Sequence, residues 1–265
     1  MDLNGADEAG FGNAATFTED GPAIAIAQSD ATLTDVDSAN LTSMTVTLTN
    51  RPDGSAESLA LTAAAQVAAT AAGLTVASYN SGTGVLLITG TASKATYETV
   101  LRGIVYGNTD QDPSAADRSI TVVVSDGTLS SAAATSTIHM VAVNDAAVLS
   151  ADTKNLIETN AAADISTSGT LTISDVDSPA TFVAQAGTVG LYGTFAIDAA
   201  GAWTYTASSA HESSWADCQY DPWLAPPPRV LRLVIVTRCL SGKLMAPRCL
   251  SCVRARLTVS TERAR

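Results

Sequence analysis

Short segments rich in β-branched residues recur along residues 1–208, and most of them alternate apolar with polar side chains. Alternation with a period of two is typical of a strand that buries one face. Gly, Asn, Asp or Ser bounds each segment, and these residues favour tight turns. The pattern therefore predicts an all-β fold with strands at 23–28, 43–50, 73–79, 84–90, 119–127, 136–143, 169–175, 180–186, 193–198 and 202–208.

One stretch, "SKATYETVLRGIVYGN" at 93–108, departs from this alternation. Ser93 is a favourable N-cap residue, and Tyr97 and Leu101 fall on one helical face because they are four positions apart. We predict one short helix here, followed by a strand at 104–106. The alternative is a loop whose apolar residues happen to match a helical pattern.

The chain is long enough for two β-sandwich modules, and a motif that occurs twice favours that division. The phrase Asp-Val-Asp-Ser occurs at 35–38 and again at 175–178. An acidic residue precedes each copy: Glu19 and Glu158 are 139 positions apart, and Asp35 and Asp175 are 140 apart. These matched spacings predict two tandem modules of related plan.

The formal net charge is −12 at pH 7. Nucleic acids and anionic membranes select basic surfaces, so we predict neither as a partner. No stretch reaches the roughly 18 uninterrupted apolar residues of a membrane span, so we also predict no insertion into a membrane. Hard cations such as calcium, which take oxygen ligands, are the natural partners of an acidic chain with few lysines.

The C-terminal residues have a different composition. Residues 1–214 hold five basic and 23 acidic residues, whereas residues 215–265 hold nine basic and three acidic ones. All four cysteines lie in the latter segment, so no disulfide can form within residues 1–214. We interpret 214–265 as an atypical basic tail, frame-shifted or disordered. The alternatives are an interaction segment, or half of a zinc site at Cys249 and Cys252.

The paired aspartates raise the question of catalysis. Two carboxylates at positions i and i+2 of a strand face the same side, but a catalytic pair usually needs a pocket and a basic or histidine partner. His139 alternates with apolar neighbours, so we predict that it is an outward-facing strand residue. His211 lies where the strand pattern ends. No motif of a known active site occurs, so we predict that the chain is not an enzyme.

Calcium binding suits the acidic residues better. Calcium takes six to eight oxygen ligands, and an Asp-x-Asp loop supplies two or three of them. Further donors lie at Glu19-Asp20, at 108–114, at Asp126 and at Asn144-Asp145. The competing interpretation is that Asp-Val-Asp-Ser only forms Asx turns at the end of a strand.

Two long stretches resemble known families. The stretch 17–146, with "FTEDGPAIAIA", "LTDVDSANLT", "SITVVVSDG" and "VAVNDA", resembles the cadherin-like tandem repeat of very large bacterial surface and secreted proteins. The stretch 143–211, with "VNDAAV", "TISDVDSPATF" and "GAWTYTAS", is similar to the VCBS repeat. Together these stretches cover about four fifths of the chain.

The resemblance implies Ig-like or cadherin-like sandwiches, with calcium stiffening the junctions between modules. It divides the chain into an N-terminal lead-in at 1–16, a cadherin-like sandwich at 17–143, a partial VCBS sandwich at 144–213 and the tail. The VCBS pattern continues with further strands and an Asp-Gly-Thr turn, so the second module is expected to be incomplete. The codons of Met245 and Ala246 force a glycine in the neighbouring frame, which is compatible with that turn and with a frame shift.

The resemblance also implies a ligand set. Glu19, Asp110 and Asp112 would join Asn144 and Asp145 of the linker at one junction, completed by Asp175 and Asp177. Asp35 and Asp37 would serve an upstream junction that this chain lacks. The full predicted metal set is Glu19, Asp35, Asp37, Asp110, Asp112, Asn144, Asp145, Glu158, Asp175 and Asp177.

These observations predict a structural repeat fragment of a calcium-stiffened bacterial adhesin, exported by type I secretion as part of a longer protein. It would lie at the cell surface or outside the cell, although the chain itself shows no signal peptide. Its partners would be neighbouring repeats and host or biofilm surface ligands. The alternatives are a carbohydrate- or surface-binding module, with Tyr192, Trp203 and Tyr205 as candidate contacts, and the accessory repeats of a secreted hydrolase.

Overall fold

The computed structural model describes residues 1–5, 10–157, 166–190, 193–207, 230–240 and 250–260. The chain divides into two compact units, Met1–Val143 (unit 1) and Asn144–Arg265 (unit 2). This division falls at the position where the sequence predicts the module boundary. Both units are built mainly from β-strands, so the predicted all-β class is confirmed.

In its described residues, unit 1 consists of two sheets with two α-helices. A six-stranded sheet has the order β1-β9-β8-β3-β6-β5, and a three-stranded sheet has the order β2-β7-β4. Most neighbours are antiparallel, but β1 pairs in parallel with β9. The elements are β1 Asn13–Thr18, β2 Ile24–Ala25, β3 Asn40–Leu48, β4 Glu57–Leu61, α1 Ala63–Ala71, β5 Thr75–Val76, β6 Val85–Ser93, α2 Lys94–Arg102, β7 Ile104–Asn108, β8 Arg118–Ser125 and β9 Ala134–Val141.

The core of unit 1 follows from the predicted alternation. Every second residue of β8 is buried, and β9 shows the same period. Helix α2 begins after the N-cap Ser93, whose side chain accepts the amide of Thr96, and it buries Tyr97, Val100 and Leu101. The predicted helix and its cap are therefore confirmed. Each large apolar side chain buried in this way contributes about 1.5–3 kcal/mol.

Two predictions for unit 1 need correction. The structure contains a second helix, α1, where the sequence predicts only one. Its segment is rich in alanine, so it lacks the apolar stripe that reveals an amphipathic helix. The predicted lead-in, 1–16, is also part of unit 1, because Leu3 is fully buried and β1 pairs with β9. In residues 1–16, Leu3 is followed mainly by small and polar residues, so the sequence shows no alternation there that would predict a buried segment.

A buried ion-pair network fixes the loop between β7 and β8. Arg118 is fully buried and donates to the carboxylates of Asp53 and Glu57, which are themselves almost completely buried. Its guanidinium also donates to the carbonyls of Ser114 and Ala116 in that loop. Desolvation opposes the charged guanidinium, but the carboxylates of Glu57 and Asp53 raise the pKa of Arg118, so it remains charged.

The described residues of unit 2 form three sheets. Their strand orders are β12-β16-β15-β14, β11-β17-β18 and β10-β13. The strands are β10 Val148–Leu149, β11 Asp152–Ile157, β12 Thr167–Thr170, β13 Ile173–Ser174, β14 Gln185–Val189, β15 Gly193–Ile197, β16 Ala202–Ala207, β17 Val230–Leu240 and β18 Leu250–Ser260.

The core of unit 2 includes residues of the predicted tail. Leu233 and Ile235 of β17 are buried in one apolar cluster with Leu171, Phe195 and Trp203, among others. The rings of Phe195 and Trp203 stack with centroids 6.2 Å apart. Strand β17 pairs with β11 over six positions and with β18 over eleven.

Part of the predicted tail therefore belongs to unit 2. Strand β17 lies within 214–265, which the sequence assigns to a frame-shifted or disordered tail, yet it pairs with β11 and contributes to the core. Its run of β-branched and apolar residues gives it the strand propensity to do so. A frame shift concerns the gene and remains a prediction.

Within the described residues, no helix is long and apolar enough to cross a membrane.

Candidate functional site

The first acidic loop, residues 35–38, forms an Asx turn after a buried leucine. Asp35 Oδ1 accepts the amides of Asp37 at 3.2 Å and Ser38 at 3.0 Å. The side chain of Val36 between the two aspartates is fully exposed. The turn interpretation is therefore correct locally, but this turn occupies only one oxygen of Asp35 and none of Asp37.

A third carboxylate joins this loop from the β8–β9 connection. Oxygens of Asp35, Asp37 and Asp126 all lie within 4.8 Å of one another. Asp126 is held by its own turn, in which Oδ1 accepts the amides of Thr128 at 2.7 Å and Leu129 at 2.8 Å. Gly127 follows with φ 99°, and a Cβ there would lie 3.2 Å from the side chain of Thr42. Glycine therefore lets the connection approach β3 beside the first acidic loop.

The amides in these turns keep two of the three carboxylates ionised. Those of Ser38 and Asp37 lower the pKa of Asp35, and those of Leu129 and Thr128 lower the pKa of Asp126. Ionised carboxylates this close repel one another unless a cation lies between them. Such a group suits a hard divalent cation better than general acid catalysis, which needs a proton to donate.

The second acidic loop, residues 175–178, has the same turn with a different partner. Asp175 Oδ1 accepts the amide of Ser178 at 3.1 Å, as Asp35 accepts that of Ser38. Asp177 Oδ2 accepts the amide of Asp145 at 2.9 Å. The hydroxyl of Ser178 also bonds to Asn144 Oδ1 at 3.2 Å. Hydrogen bonds therefore hold residues 144 and 145 against this loop.

Three carboxylate oxygens in or beside the second acidic loop are buried and lack hydrogen-bond partners. Asp145 Oδ2, Asp175 Oδ2 and Asp177 Oδ1 are all buried and accept no hydrogen bond. Burial and the neighbouring Asp177 raise the pKa of Asp175. Burial opposes ionisation of Asp177 as well, but the amide of Asp145 and the side chain of Asp175 lower its pKa. The pair therefore favours one proton, or a cation, between its two carboxylates.

The other predicted ligands have local roles in unit 1. Glu19 is buried, and its Oε2 accepts the amide of Val143 at 2.7 Å. Asp110 Oδ1 accepts the amide of Asp112 at 3.2 Å, which is another Asx turn, and Asp112 is exposed. Glu158 lies outside the described residues.

The structure changes the grouping of the acidic residues. Asp35 and Asp37, assigned by resemblance to an upstream junction, have a third carboxylate in Asp126 within unit 1. Asp126 is absent from the predicted ligand set, although it is among the further oxygen donors that the sequence offers. Within unit 2, Asp145 is linked to Asp177 through its backbone amide and not through its carboxylate. Whether any of these residues binds metal stays a prediction.

Of the residues considered for other activities, the structure describes Trp203, Tyr205 and His139. Trp203 and Tyr205 are buried, and Tyr192 lies outside the described residues. His139 is exposed, as predicted, with its Nδ1 3.0 Å from the carboxylate of Asp117. An open depression of about 390 Å³ beside β14–β16 is lined mainly by alanine, together with Gln185 and Ile197, and Asp198 is the ionisable residue in its lining.

These features define the class of protein: an all-β chain of two units, each with an Asp-Val-Asp-Ser turn, of which the turn in unit 1 gathers three carboxylates. No family model, no curated protein and no solved structure matches the chain.

Proposed function

We propose that this chain is a structural repeat segment of a large bacterial surface adhesin, and that its acidic loops bind calcium. It acts as an extracellular spacer rather than as an enzyme. The cation neutralises the clustered carboxylates and holds each loop in one conformation. In unit 2 it would also hold Asn144 and Asp145 against the second acidic loop.

The observation that carries this proposal is the set of buried carboxylate oxygens at Asp145, Asp175 and Asp177. A buried oxygen without a hydrogen bond is unfavourable. The amides at this loop occupy only one oxygen of Asp175 and one of Asp177. A cation bound between Asp175 and Asp177 would supply the missing partner for the remaining oxygens of that pair.

The donor chemistry favours calcium among the common metals. The described acidic loops offer carboxylate, amide and backbone oxygens, with neither histidine nor cysteine among the clustered residues. Oxygen ligands in flexible loops suit calcium, whereas zinc prefers nitrogen and sulfur. The resemblance to cadherin-like and VCBS repeats supports the same cation and the role of a spacer.

The direct test is thermal unfolding of the whole chain in EDTA and in calcium. At a calcium concentration 100-fold above Kd, we expect the melting temperature of unit 2 to rise by on the order of 10 °C. The expected stabilisation arises because calcium binds the folded loop and not the unfolded chain. A melting curve that is identical in EDTA and calcium would remove the metal from the proposal.

Replacing Asp175 with asparagine should have opposite effects in the two conditions. Without calcium, the substitution removes one of two adjacent carboxylates, so we expect a higher melting temperature than the unaltered chain has. With calcium, it removes a ligand, so we expect a lower one. Asp198→Asn, on an exposed turn of the same unit, is the matched control and should show no such reversal. Equal effects of Asp175→Asn in EDTA and calcium would contradict calcium binding at this loop.

A further inference from the structure

Helix α2 carries three charged residues at intervals of four: Lys94, Glu98 and Arg102. Residues at this spacing lie along one side of a helix. Each of the three side chains makes a hydrogen bond to the backbone of the segment 31–35, which leads into the first acidic loop. We call these three residues the α2 stripe.

The contacts of the α2 stripe fall on alternate residues of that segment. Nε and Nη2 of Arg102 donate to the carbonyl of Ala31 at 3.0 and 2.7 Å. Glu98 Oε1 accepts the amide of Leu33 at 2.9 Å. Lys94 Nζ donates to the carbonyl of Asp35 at 2.8 Å. The stripe therefore occupies the backbone groups that a neighbouring strand would otherwise pair.

Lys94 also spans the first acidic loop. Its ammonium holds the carbonyl of Asp35 where the loop begins, and its backbone amide donates to the carbonyl of Ala39 at 3.3 Å where the loop ends. Asp37 and Ser38 lie between these two anchors. The second acidic loop, by contrast, is held by the amide of Asp145.

We infer that the α2 stripe is a positioning device: Lys94, Glu98 and Arg102 set the path of residues 31–35 and so bring Asp35 and Asp37 to Asp126. The three stripe residues act through the backbone and not as ligands. The consequence for calcium affinity rests on the proposed function, whereas the conformation of the loop does not.

The test compares Glu98→Ala with Glu98→Gln in the full chain, both carrying Asp175→Asn and Asp177→Asn so that only the first acidic loop responds. Alanine removes the acceptor of the Leu33 amide, whereas glutamine removes the charge and keeps an acceptor oxygen. By NMR without metal, we expect the amides of Asp37 and Ser38 to exchange about tenfold faster with alanine. With glutamine, their exchange rates should stay within about twofold of those in the chain that keeps Glu98.

A purely structural role would lower protection throughout unit 1, so the core amide of Val122 serves as the internal reference. We expect Val122 exchange to change less than that of Asp37 and Ser38. Equal slowing or acceleration at all three positions, or no change at Asp37 and Ser38, would overturn the inference. If Glu98→Ala fails to fold, Arg102→Met makes the same test by removing both donors to Ala31.

Calcium titration of the same samples separates the two proposals. The amides of Ser38 and Gly127 should report binding, with an apparent Kd about tenfold weaker for Glu98→Ala than for Glu98→Gln. The parent is the chain that carries Asp175→Asn and Asp177→Asn with Glu98 unchanged. If calcium does not shift the amide signals of Ser38 and Gly127 in this parent, calcium binding at this loop is refuted, while amide exchange without metal still decides the positioning role. Equal Kd values for the two variants would contradict positioning even where calcium binds.

Discussion

Replacing Arg118 with methionine should lower the free energy of unfolding of unit 1 by about 3–5 kcal/mol. Methionine has a similar length and fits an apolar core, so the loss comes chiefly from charge and hydrogen bonding. The measurement is urea unfolding followed by amide hydrogen exchange of peptides from β3 and β8. Both strands lie in the sheet to which Arg118 belongs.

The size of the effect follows from what Arg118 leaves behind. The side chain of Glu57 is fully buried, and that of Asp53 is 5% exposed. Glu57 Oε2 is already buried without a hydrogen bond, so its carboxylate depends on Oε1, which accepts from Arg118 and from the hydroxyl of Tyr106. Without the guanidinium, two buried carboxylates would face each other with no cation between them.

Arg51→Met is the control for Arg118→Met. Arg51 also donates to two backbone carbonyls, those of Leu48 and Gly82, but neither contact is buried and it pairs with no carboxylate in the described structure. We expect a loss of about 1 kcal/mol. Similar losses for the two variants would show that the buried carboxylates do not depend on Arg118.

The strands of unit 1 could be predicted because the signal lies within each segment. Strand β8 alternates buried and half-buried residues along its whole length, and the period of two is visible in "SITVVVSDG". Helix α2 was visible for a similar reason, since Tyr97 and Leu101 repeat at helical spacing after a capping serine. Helix α1 was not, because alanine fits both exposed and buried positions and leaves no contrast between the two faces.

The acidic site was only half predictable, because its two loops come from distant parts of the chain. The sequence placed Asp35 and Asp37 on one turn, but nothing local showed that the turn of Asp126 would approach them. That approach depends on the pairing of β3 with β8, which sets Ser43 opposite Ser125. The identical Asp-Val-Asp-Ser phrases also acquire different partners, Lys94 in one unit and Asp145 in the other. Local sequence gives the turn, and tertiary pairing gives the third carboxylate.

Replacing Ile235 with aspartate should destabilise unit 2 by about 4 kcal/mol or more. The side chain of Ile235 is fully buried in the cluster that contains Trp203 and Phe195. Aspartate would remove that apolar contact and place a charge where no partner is described. The measurement is hydrogen exchange of peptides from β15 and β16, which should lose protection while β8 keeps it.

Val234→Asp is the matched control for Ile235→Asp, because it makes the same chemical change one position earlier, at a side chain that is only half-buried. We expect an effect of about 1 kcal/mol. If this segment were a disordered tail that only follows the module, the two substitutions would have equal effects, whereas a strand that closes the core would make their effects very different. Equal protection of β15 and β16 in both variants would contradict the role of β17 in unit 2. A large difference would establish that residues within the predicted tail complete the fold, because strand alternation alone distinguishes neighbouring positions so sharply.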